Sequence, residues 1–160
     1  MAVDVFLKLG DIKGESVDSK HKDEIDVLSW SWGMSNTGTT HLGGGGGAGK
    51  VSVQDLHITK YVDKASPNLV LTCCNGKHFT DAVLTVRKAG ENALEYLKIT
   101  LKTVFISSVS PGGSKGDERT MESVGLNFAS FKVEYTPQDD KGKAGGTVTA
   151  GWDIAKNVKV

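Results

Sequence analysis

The chain has 160 residues, of which 19 are Lys or Arg and 19 are Asp or Glu, so its formal net charge is zero. A chain of this length fits one domain with a substantial core. Because phosphate binding draws on a clustered excess of Lys and Arg, the balanced charge argues against nucleic acid as the main partner. The longest apolar runs, such as Val104-Phe105-Ile106, have only three residues, which excludes a transmembrane helix and membrane insertion.

The N-terminus and the two cysteines bear on the cellular compartment. Residues 1–4 begin neither a basic nor an apolar leader segment, so we expect synthesis in the cytosol and export by a route that needs no cleaved signal peptide. Cys73 and Cys74 are adjacent, and a disulfide between neighbours would strain the intervening peptide. Both thiols are therefore predicted to be reduced.

Alternation of apolar and polar residues predicts that the N-terminal part is mostly strand. The first strand is predicted over residues 3–9, followed by a charged, solvated loop over 11–23. A second strand is predicted over residues 25–33. Its two faces carry Leu28, Trp30 and Trp32 on one side and Val27, Ser29 and Ser31 on the other.

A glycine-rich stretch over residues 34–50 includes five consecutive glycines and predicts an extended loop. Another strand is predicted over residues 51–58. The next element is a helix over residues 63–75, with Asp63 or Ser66 as its cap, Pro67 in its first turn and Gly76 after its end. Its predicted apolar face contains the i,i+4 pairs Leu69 with Cys73 and Val70 with Cys74.

The C-terminal half is predicted to contain strands over residues 82–87, 97–109, 124–135 and 148–158. The apolar parity changes near Ala129 and Ser130, which indicates a bulge or bend of the kind a closing barrel needs. About seven strands and one helix favour a mainly β fold, an antiparallel β-barrel with one flanking helix and a single domain over residues 1–160.

Two short motifs imitate catalytic or nucleotide-binding loops. Residues 44–50 fit G-x-x-x-x-G-K, but Val51 replaces the required Ser or Thr and a strand is predicted where a helix should begin. Residues 112–116 fit G-x-S-x-G around Ser114, but a strand is again predicted to follow, and no His or acid partner is evident. Neither motif predicts chemistry.

The remaining residues suggest no enzyme. The four histidines fall singly in different elements, and no C-x-x-C or H-x-x-x-H pair marks a metal site. The charged runs 18–26 and 139–143 mix both signs and are typical of solvated loops. We therefore predict no catalytic residue, no metal and no cofactor.

Taken together, several segments make the chain resemble the haemolysin-coregulated proteins, the tube subunits of bacterial type VI secretion. The resemblance covers essentially the whole chain. The segments that carry it are residues 10–16 (GDIKGES), 24–33 (EIDVLSWSWG), 43–50, 59–64 (TKYVDK) with Pro67, 86–90 (VRKAG) and 126–129 (LNFA).

The resemblance implies a β-barrel that assembles as a homohexameric ring. Rings would stack into a hollow tube inside a contractile sheath, and the tube would be expelled with a spike protein of the VgrG type. The implied partners are further copies of the chain, the spike, sheath and baseplate proteins, and small effector proteins held in the channel. Two alternatives stay open: a free-standing β-barrel that binds ligands or proteins, and a hydrolase using Ser114.

Within that assembly, Ser29 and Ser31 are predicted to face the channel and contact effectors, because they lie opposite the Trp face. The glycine-rich arm is predicted to pack against the next protomer or ring. The turn at Gly90 and the tail from Trp152 are predicted to lie at barrel ends and to make ring contacts. The predicted contact residues are Gly43, Gly44, Gly45, Gly46, Gly47, Lys50, Gln54, Gly90 and Asn157.

Overall fold

The computed structural model describes residues 3–38, 50–90 and 93–160. Within these ranges the chain forms eleven strands and one helix. Their bounds are β1 (Val3–Leu9), β2 (Ile25–Asp26), β3 (Ser29–Ser31), β4 (Met34–Ser35), β5 (Ser52–Val53), β6 (Leu56–Tyr61), α1 (Ser66–Asn75), β7 (His78–Lys88), β8 (Glu95–Gly112), β9 (Met121–Tyr135), β10 (Val148–Asp153) and β11 (Val158–Lys159). The prediction of a mainly β fold with one helix is confirmed.

Antiparallel pairing closes the main sheet into a barrel. β1 pairs with β7, β7 with β8, β8 with β9, and the first half of β9 with β6. β6 pairs with β3, whereas β2, just upstream, pairs back with β1. Between them, the amide of Val27 donates to the carbonyl of Val5 at 3.0 Å and that of Leu28 to Thr59 at 2.8 Å. Residues 25–31 therefore join β1 to β6 and complete the circuit.

This closure corrects the prediction of one strand over residues 25–33. The backbone changes its hydrogen-bond partner from β1 to β6 between Asp26 and Ser29, which divides the segment into β2 and β3. Similarly, residues 51–58 do not form one strand, because β5 pairs with β4 and β6 pairs with β3 and β9. The segment 148–158 is a hairpin of β10 and β11 rather than one strand.

The predicted parity change in β9 is present, and β8 shares it. On β9, Phe128 and Phe131 are both buried, and on β8 the buried positions pass from Leu101 to Val104. The register between the two strands does not shift there, whereas Thr103 has φ +55°. The change of parity is therefore a bend that β8 and β9 share, near Thr103 and Ala129, and not a β-bulge. A β-bulge does occur between them, further along β8 between Ile106 and Ser108.

The core is formed by inward-facing side chains of β1, β6, β7, β8 and β9, with Leu69 of α1 packed against them. The helix begins at Ser66 and not at 63, with Ala65 at its N-cap and no side-chain cap. It ends at Gly76, which has φ +68° and donates its amide to Thr72. Gly76 therefore plays the C-terminal role that the sequence predicted.

The helix buries a narrower stripe than its sequence suggested. Ser66, Leu69 and Thr72 are buried, and Cys73 is half-buried. Val70 is 45% exposed, and Cys74 is also exposed. The prediction that both cysteines face the core is therefore wrong for Cys74, because the helix contacts the barrel along one edge only. No helix in the described ranges has the length and apolarity needed to cross a bilayer.

Candidate functional site

The barrel carries a continuous polar surface across β3, β6, β9 and β8. Its strands are aligned so that outward-facing residues form rows, with Ser31 opposite His57, His57 opposite Gly125 and Gly125 opposite Ser108. A second row aligns Ser29, Thr59, Ser123 and Ser110. We call this surface the polar wall; its members are Ser29, Ser31, Asp55, His57, Thr59, Ser107, Ser108, Ser110, Ser123, Gly125 and Asn127.

The Ser side of β3 is outward because its other side belongs to the core. Trp30 and Trp32 pack against the buried cluster. The Trp32 ring makes edge contacts with Phe128 at 6.2 Å and Phe131 at 4.9 Å between centroids. Alternation along the strand then leaves Ser29 and Ser31 exposed. The two serines lie opposite the Trp side, as predicted, but the predicted faces are wrong for Val27, which is buried, and for Leu28, which is 47% exposed, because the strand is divided between them. The contact of the serines with effectors stays a prediction.

Gly125 sits where the wall is most tightly packed. A Cβ at this position would lie 2.6 Å from the Ser108 hydroxyl oxygen and 2.8 Å from that of Ser107, which the bulge brings to the same side. It would also lie 3.3 Å from Cε1 of His57. The missing side chain thus lets the His57 imidazole and the two hydroxyls approach one another across β9.

The carboxylate in the wall is held by its neighbours. Ser107 donates to Oδ2 of Asp55 at 2.6 Å, and the Asn127 amide donates to Oδ1 at 2.8 Å. Both carboxylate oxygens therefore have a protein donor. The wall therefore offers a partner hydroxyl groups, an imidazole and the negative charge of Asp55, whose carboxylate is oriented but not neutralised by these two neutral donors.

Directly beneath the wall, a buried charged cluster ties β6 and β9 to the start of α1. Lys60 is fully buried, and its ammonium donates to Glu122, to Asp63 Oδ1 at 2.9 Å and to Ser66 Oγ at 3.2 Å. The Ser66 hydroxyl also donates to Glu122. Since Lys60 and Glu122 are register partners next to wall residues Thr59 and Ser123, the cluster fixes the wall strands relative to the helix.

On another side of the barrel, the loop over residues 11–24 is clamped onto β1 and β7. Arg87 donates to both oxygens of Asp18 at 3.0 and 2.7 Å and to Asp4 at 3.1 Å. Hydrogen bonding from Arg87 lowers the pKa of Asp18 to about 2, and the same contacts raise the pKa of Arg87. The Phe6 ring contacts both residues: the Arg87 guanidinium lies over it, 5.0 Å from its centroid, and the His21 ring stacks on it at 4.4 Å between centroids.

His21 completes the clamp. Its two ring nitrogens lie 2.9 Å from Glu24 and 2.6 Å from Glu95, and the residue is buried. The prediction that the charged run 18–26 is a solvated loop is therefore wrong in part, because Asp18 forms a partly buried ion pair with Arg87 and the buried His21 hydrogen-bonds to two glutamates. Asp26 is exposed, as predicted, although partial desolvation, reinforced by the negative charge of Asp63, raises its pKa.

The predicted contact residues are not brought together at one place. Gly43, Gly44, Gly45, Gly46 and Gly47 lie outside the described residues. Lys50 and Gln54 are exposed, and the backbone amide of Gln54 donates to the carbonyl of Gly33, two residues after the end of β3. Gly90 is exposed with φ +129° just after β7, as expected of a turn at a barrel end.

The position of the Asn157 turn differs from the prediction. Asn157 has φ +56° and connects β10 to β11. Asp153, the last residue of β10, pairs with Ser130 in the middle of β9. The tail from Trp152 therefore lies alongside the middle of a long strand and not at a barrel end.

The two sequence motifs that imitate functional loops, residues 44–50 and 112–116, are followed by strands, as the sequence predicted; of the first motif, only Lys50 is among the described residues. Ser114 lies in the exposed turn between β8 and β9, where its amide donates to Asp117 at 2.9 Å, and a strand follows. Val51 leads into β5, again without a helix. Among residues 3–38, 50–90 and 93–160, no three His, Cys, Asp or Glu side chains are grouped as metal ligands.

Sequence reasoning missed most of the polar wall. In the sequence, His57 is one of four histidines that fall singly in different elements, and Asp55, Ser107, Ser123 and Asn127 belong to no recognisable motif. The alternation of β6 around buried Leu56 and Ile58 could have placed His57 outward. Its position beside Ser31, however, depends on the pairing of β3 with β6, which residue alternation within one strand does not reveal.

Comparison with known proteins identifies close relatives. A family model with the description "Type VI secretion system effector, Hcp" matches residues 6–135. The protein Hcp1 of Pseudomonas aeruginosa is 61% identical over 161 aligned positions, which cover 99% of each chain. The crystal structure of Hcp1 from Salmonella typhimurium is 46% identical with a TM-score of 0.84 over the whole of both chains. The structure of another type six secretion system protein is 33% identical with a TM-score of 0.94, covering 99% of this chain and all of the other.

Proposed function

The chain belongs to the Hcp family of the type VI secretion system, and we propose that it forms homohexameric rings that stack into a hollow tube. One observation carries the proposal beyond family membership. The four-strand face formed by β3, β6, β9 and β8 is lined mostly by small hydroxyl side chains and carries no Lys or Arg, although the whole chain has 19 of them. A surface that surrounds a channel, repeated six times, would have this character.

In the proposed ring, the polar wall faces the channel and Ser29 and Ser31 contact small effector proteins. The tube is a structural carrier without catalysis, and it acts together with a spike protein of the VgrG type, a contractile sheath and a baseplate. Sheath contraction would expel the tube with its cargo. Short hydroxyl side chains suit this role, since they leave room and can donate or accept hydrogen bonds to varied protein surfaces.

Negative-stain microscopy of the purified full chain tests the ring. We expect six-fold rings with a central hole. Monodisperse monomers at micromolar concentration would contradict the proposal and favour a free-standing binding module.

The orientation of the wall is tested by introducing Ser29→Cys and Ser31→Cys separately and labelling them in assembled rings with a maleimide. Because Cys74 is exposed in the native chain, both are made in a Cys74→Ser background. Bound cargo should slow labelling at both positions, and Ser31→Gln should reduce cargo retention by filling the channel. Ser19→Cys, on the exposed part of the clamped loop, is the matched control whose labelling should not change. Equal labelling with and without cargo would show that the serines do not contact it.

The contact residues are tested by sedimentation. Deleting residues 43–47 should shift the assembly toward monomer if the glycine-rich arm packs on the next protomer or ring. The point variants Lys50→Ser, Gln54→Ser, Gly90→Ser and Asn157→Ser ask the same of the remaining positions. Unchanged hexamers and unchanged stacking in all five would remove these residues from the proposed contacts.

A further inference from the structure

We propose that Asp55 is a cargo-contacting residue of the polar wall and that it selects basic cargo, meaning protein segments rich in Lys and Arg side chains. This inference rests on the proposed channel orientation of the wall. It adds a residue and a ligand chemistry that family membership does not supply.

Asp55 is the only residue of fixed charge in the polar wall. The other members carry a hydroxyl, an imidazole or an amide, or have no side chain. Asp55 is half-buried, and among the residues that the structure describes no Lys or Arg forms an ion pair with it. The wall therefore presents one uncompensated negative charge in each protomer, and the proposed ring would repeat that charge six times around the channel.

Neighbouring strands hold the Asp55 carboxylate in place without neutralising it. Ser107 of β8 donates to Oδ2 at 2.6 Å, and the side-chain amide of Asn127 on β9 donates to Oδ1 at 2.8 Å. A carboxylate offers about four acceptor sites, of which these two bonds use half. The remaining sites can accept from an ammonium or a guanidinium group. Because the carboxylate is already oriented, binding such a group costs less ordering of the side chain.

The groups around Asp55 also suit a partner that only donates hydrogen bonds, as ammonium and guanidinium groups do. The hydroxyls of Ser29 and Ser31 can act as acceptors. His57 is exposed two residues after Asp55 on the same face, and a neutral imidazole accepts through one ring nitrogen. An acidic segment, in contrast, would meet the like charge of Asp55, which disfavours it.

The lysines elsewhere on β8 and β9 do not offset this charge. Lys102 lies 3.5 Å from the Asp81 carboxylate, and Lys132 lies 3.0 Å from that of Glu134. Both lysines are on the far side of the bend from the wall, and both are paired within the chain. Asp55 thus has no such partner of its own in the described structure.

The test uses three peptides of equal length that carry the same dye and alternate Gly with Lys, Ser or Glu. Their binding to assembled rings is measured by anisotropy at low salt. We expect the Lys peptide to bind wild-type rings about fivefold more tightly than the Ser peptide, the scale of one exposed ion pair at the upper end of its range. Raising the NaCl concentration to about 0.5 M should remove this preference, because salt screens exposed charges.

Three variants assign the preference to Asp55. Asp55→Asn keeps the shape of the side chain, removes its charge and should abolish the Lys preference. Asp55→Glu keeps the charge and should retain the preference. Asp11→Asn is the matched control, because Asp11 is exposed but lies beside α1, outside the wall.

Each outcome decides the question. A Lys preference that disappears in Asp55→Asn and persists in Asp11→Asn supports the inference. Equal binding of the three peptides, tightest binding of the Glu peptide, or a Lys preference unchanged within twofold in Asp55→Asn overturns it. If Asp55→Asn does not assemble, the wild-type rings decide, since a Lys preference that does not fall with salt overturns the inference.

Microscopy of the same samples separates the two proposals. Rings without a preference for the Lys peptide overturn the role of Asp55 alone. Monomers that prefer the Lys peptide through Asp55 overturn the ring and leave the ligand chemistry of Asp55 standing.

Discussion

Replacing Lys60 should destabilise the protein more than replacing Glu122, the residue that its ammonium contacts most closely. Lys60 faces two buried or nearly buried carboxylates, since the side chains of Glu122 and Asp63 are 1% and 7% exposed. Lys60→Met leaves both without a counter-charge, and breaking a buried pair in this way costs about 3–5 kcal/mol. Glu122→Gln keeps the 2.9 Å bond from Lys60 to Asp63 and an amide oxygen as acceptor. It should cost only about 1–2 kcal/mol.

The measurement is urea unfolding followed by Trp fluorescence at one fixed protomer concentration, because self-association would add to apparent stability. Lys102→Met is the matched control: its side chain is 54% exposed and lies 3.5 Å from an exposed Asp81 carboxylate. Such a surface pair contributes at most about 1 kcal/mol. Combining Lys60→Met with Glu122→Leu and Asp63→Asn should recover much of the loss, as buried ion networks replaced by apolar groups often do.

Two results would refute this reasoning. If Lys60→Met costs no more than Lys102→Met, the cluster does not carry the buried charge inferred from its geometry. If Glu122→Gln costs as much as Lys60→Met, Asp63 does not compensate the ammonium, and the three groups do not act as one network.

Three further predictions concern other sites. Gly14→Ala should cost about 2–4 kcal/mol in the same unfolding assay. The added Cβ would lie 2.4 Å from a backbone carbonyl oxygen of the clamped loop and would break several backbone hydrogen bonds. The control Gly116→Ala, which has open space around it, should change the free energy of unfolding by less than about 0.5 kcal/mol. The pKa of Asp18 is about 2, below its ordinary 3.8, so the Asp18–Arg87 contact stabilises the fold above pH 4 and this stabilisation is lost as the pH falls toward 2. The thermal midpoints of the wild type and Asp18→Asn should therefore converge over that range. A difference that stays constant with pH would contradict this prediction. Cys74 should react with Ellman's reagent in the native state, and the fast phase should vanish in Cys74→Ser.

Local patterning predicted the long elements well. Residue alternation placed β1 at its observed bounds and located β7, β8 and β9, because each has one face in the core over many residues. It also located the parity change near Ala129. These features depend only on neighbours along the chain.

Features that depend on distant partners were not predictable in this way. Val70 and Cys74 continue an apolar helical pattern, yet they are exposed because nothing in the described protomer packs on that side. Lys60 and Glu122 lie on the inward-facing parity of β6 and β9, but alternation alone does not show that two charged residues there are buried as a pair, because their pairing spans 62 positions of sequence. The polar wall likewise exists only once β3, β6, β9 and β8 are in register, so alternation within residues 25–33 points to Ser29 and Ser31 but not to His57 beside them.

The division of β9 between two neighbours has a consequence for local opening. Its first half bonds to β6 and its second half to β10, while β8 covers the other edge throughout. The closed circuit of strands does not use β10 or β11, so the C-terminal hairpin can detach without opening that circuit. Amide protons of the second half of β9 that bond to β10 should then exchange with deuterium through this partial unfolding, whereas those facing β6 await global unfolding. The two halves of β9 would thus open with different free energies of unfolding. The C-terminal hairpin would be the part of the protomer able to rearrange while the barrel stays folded.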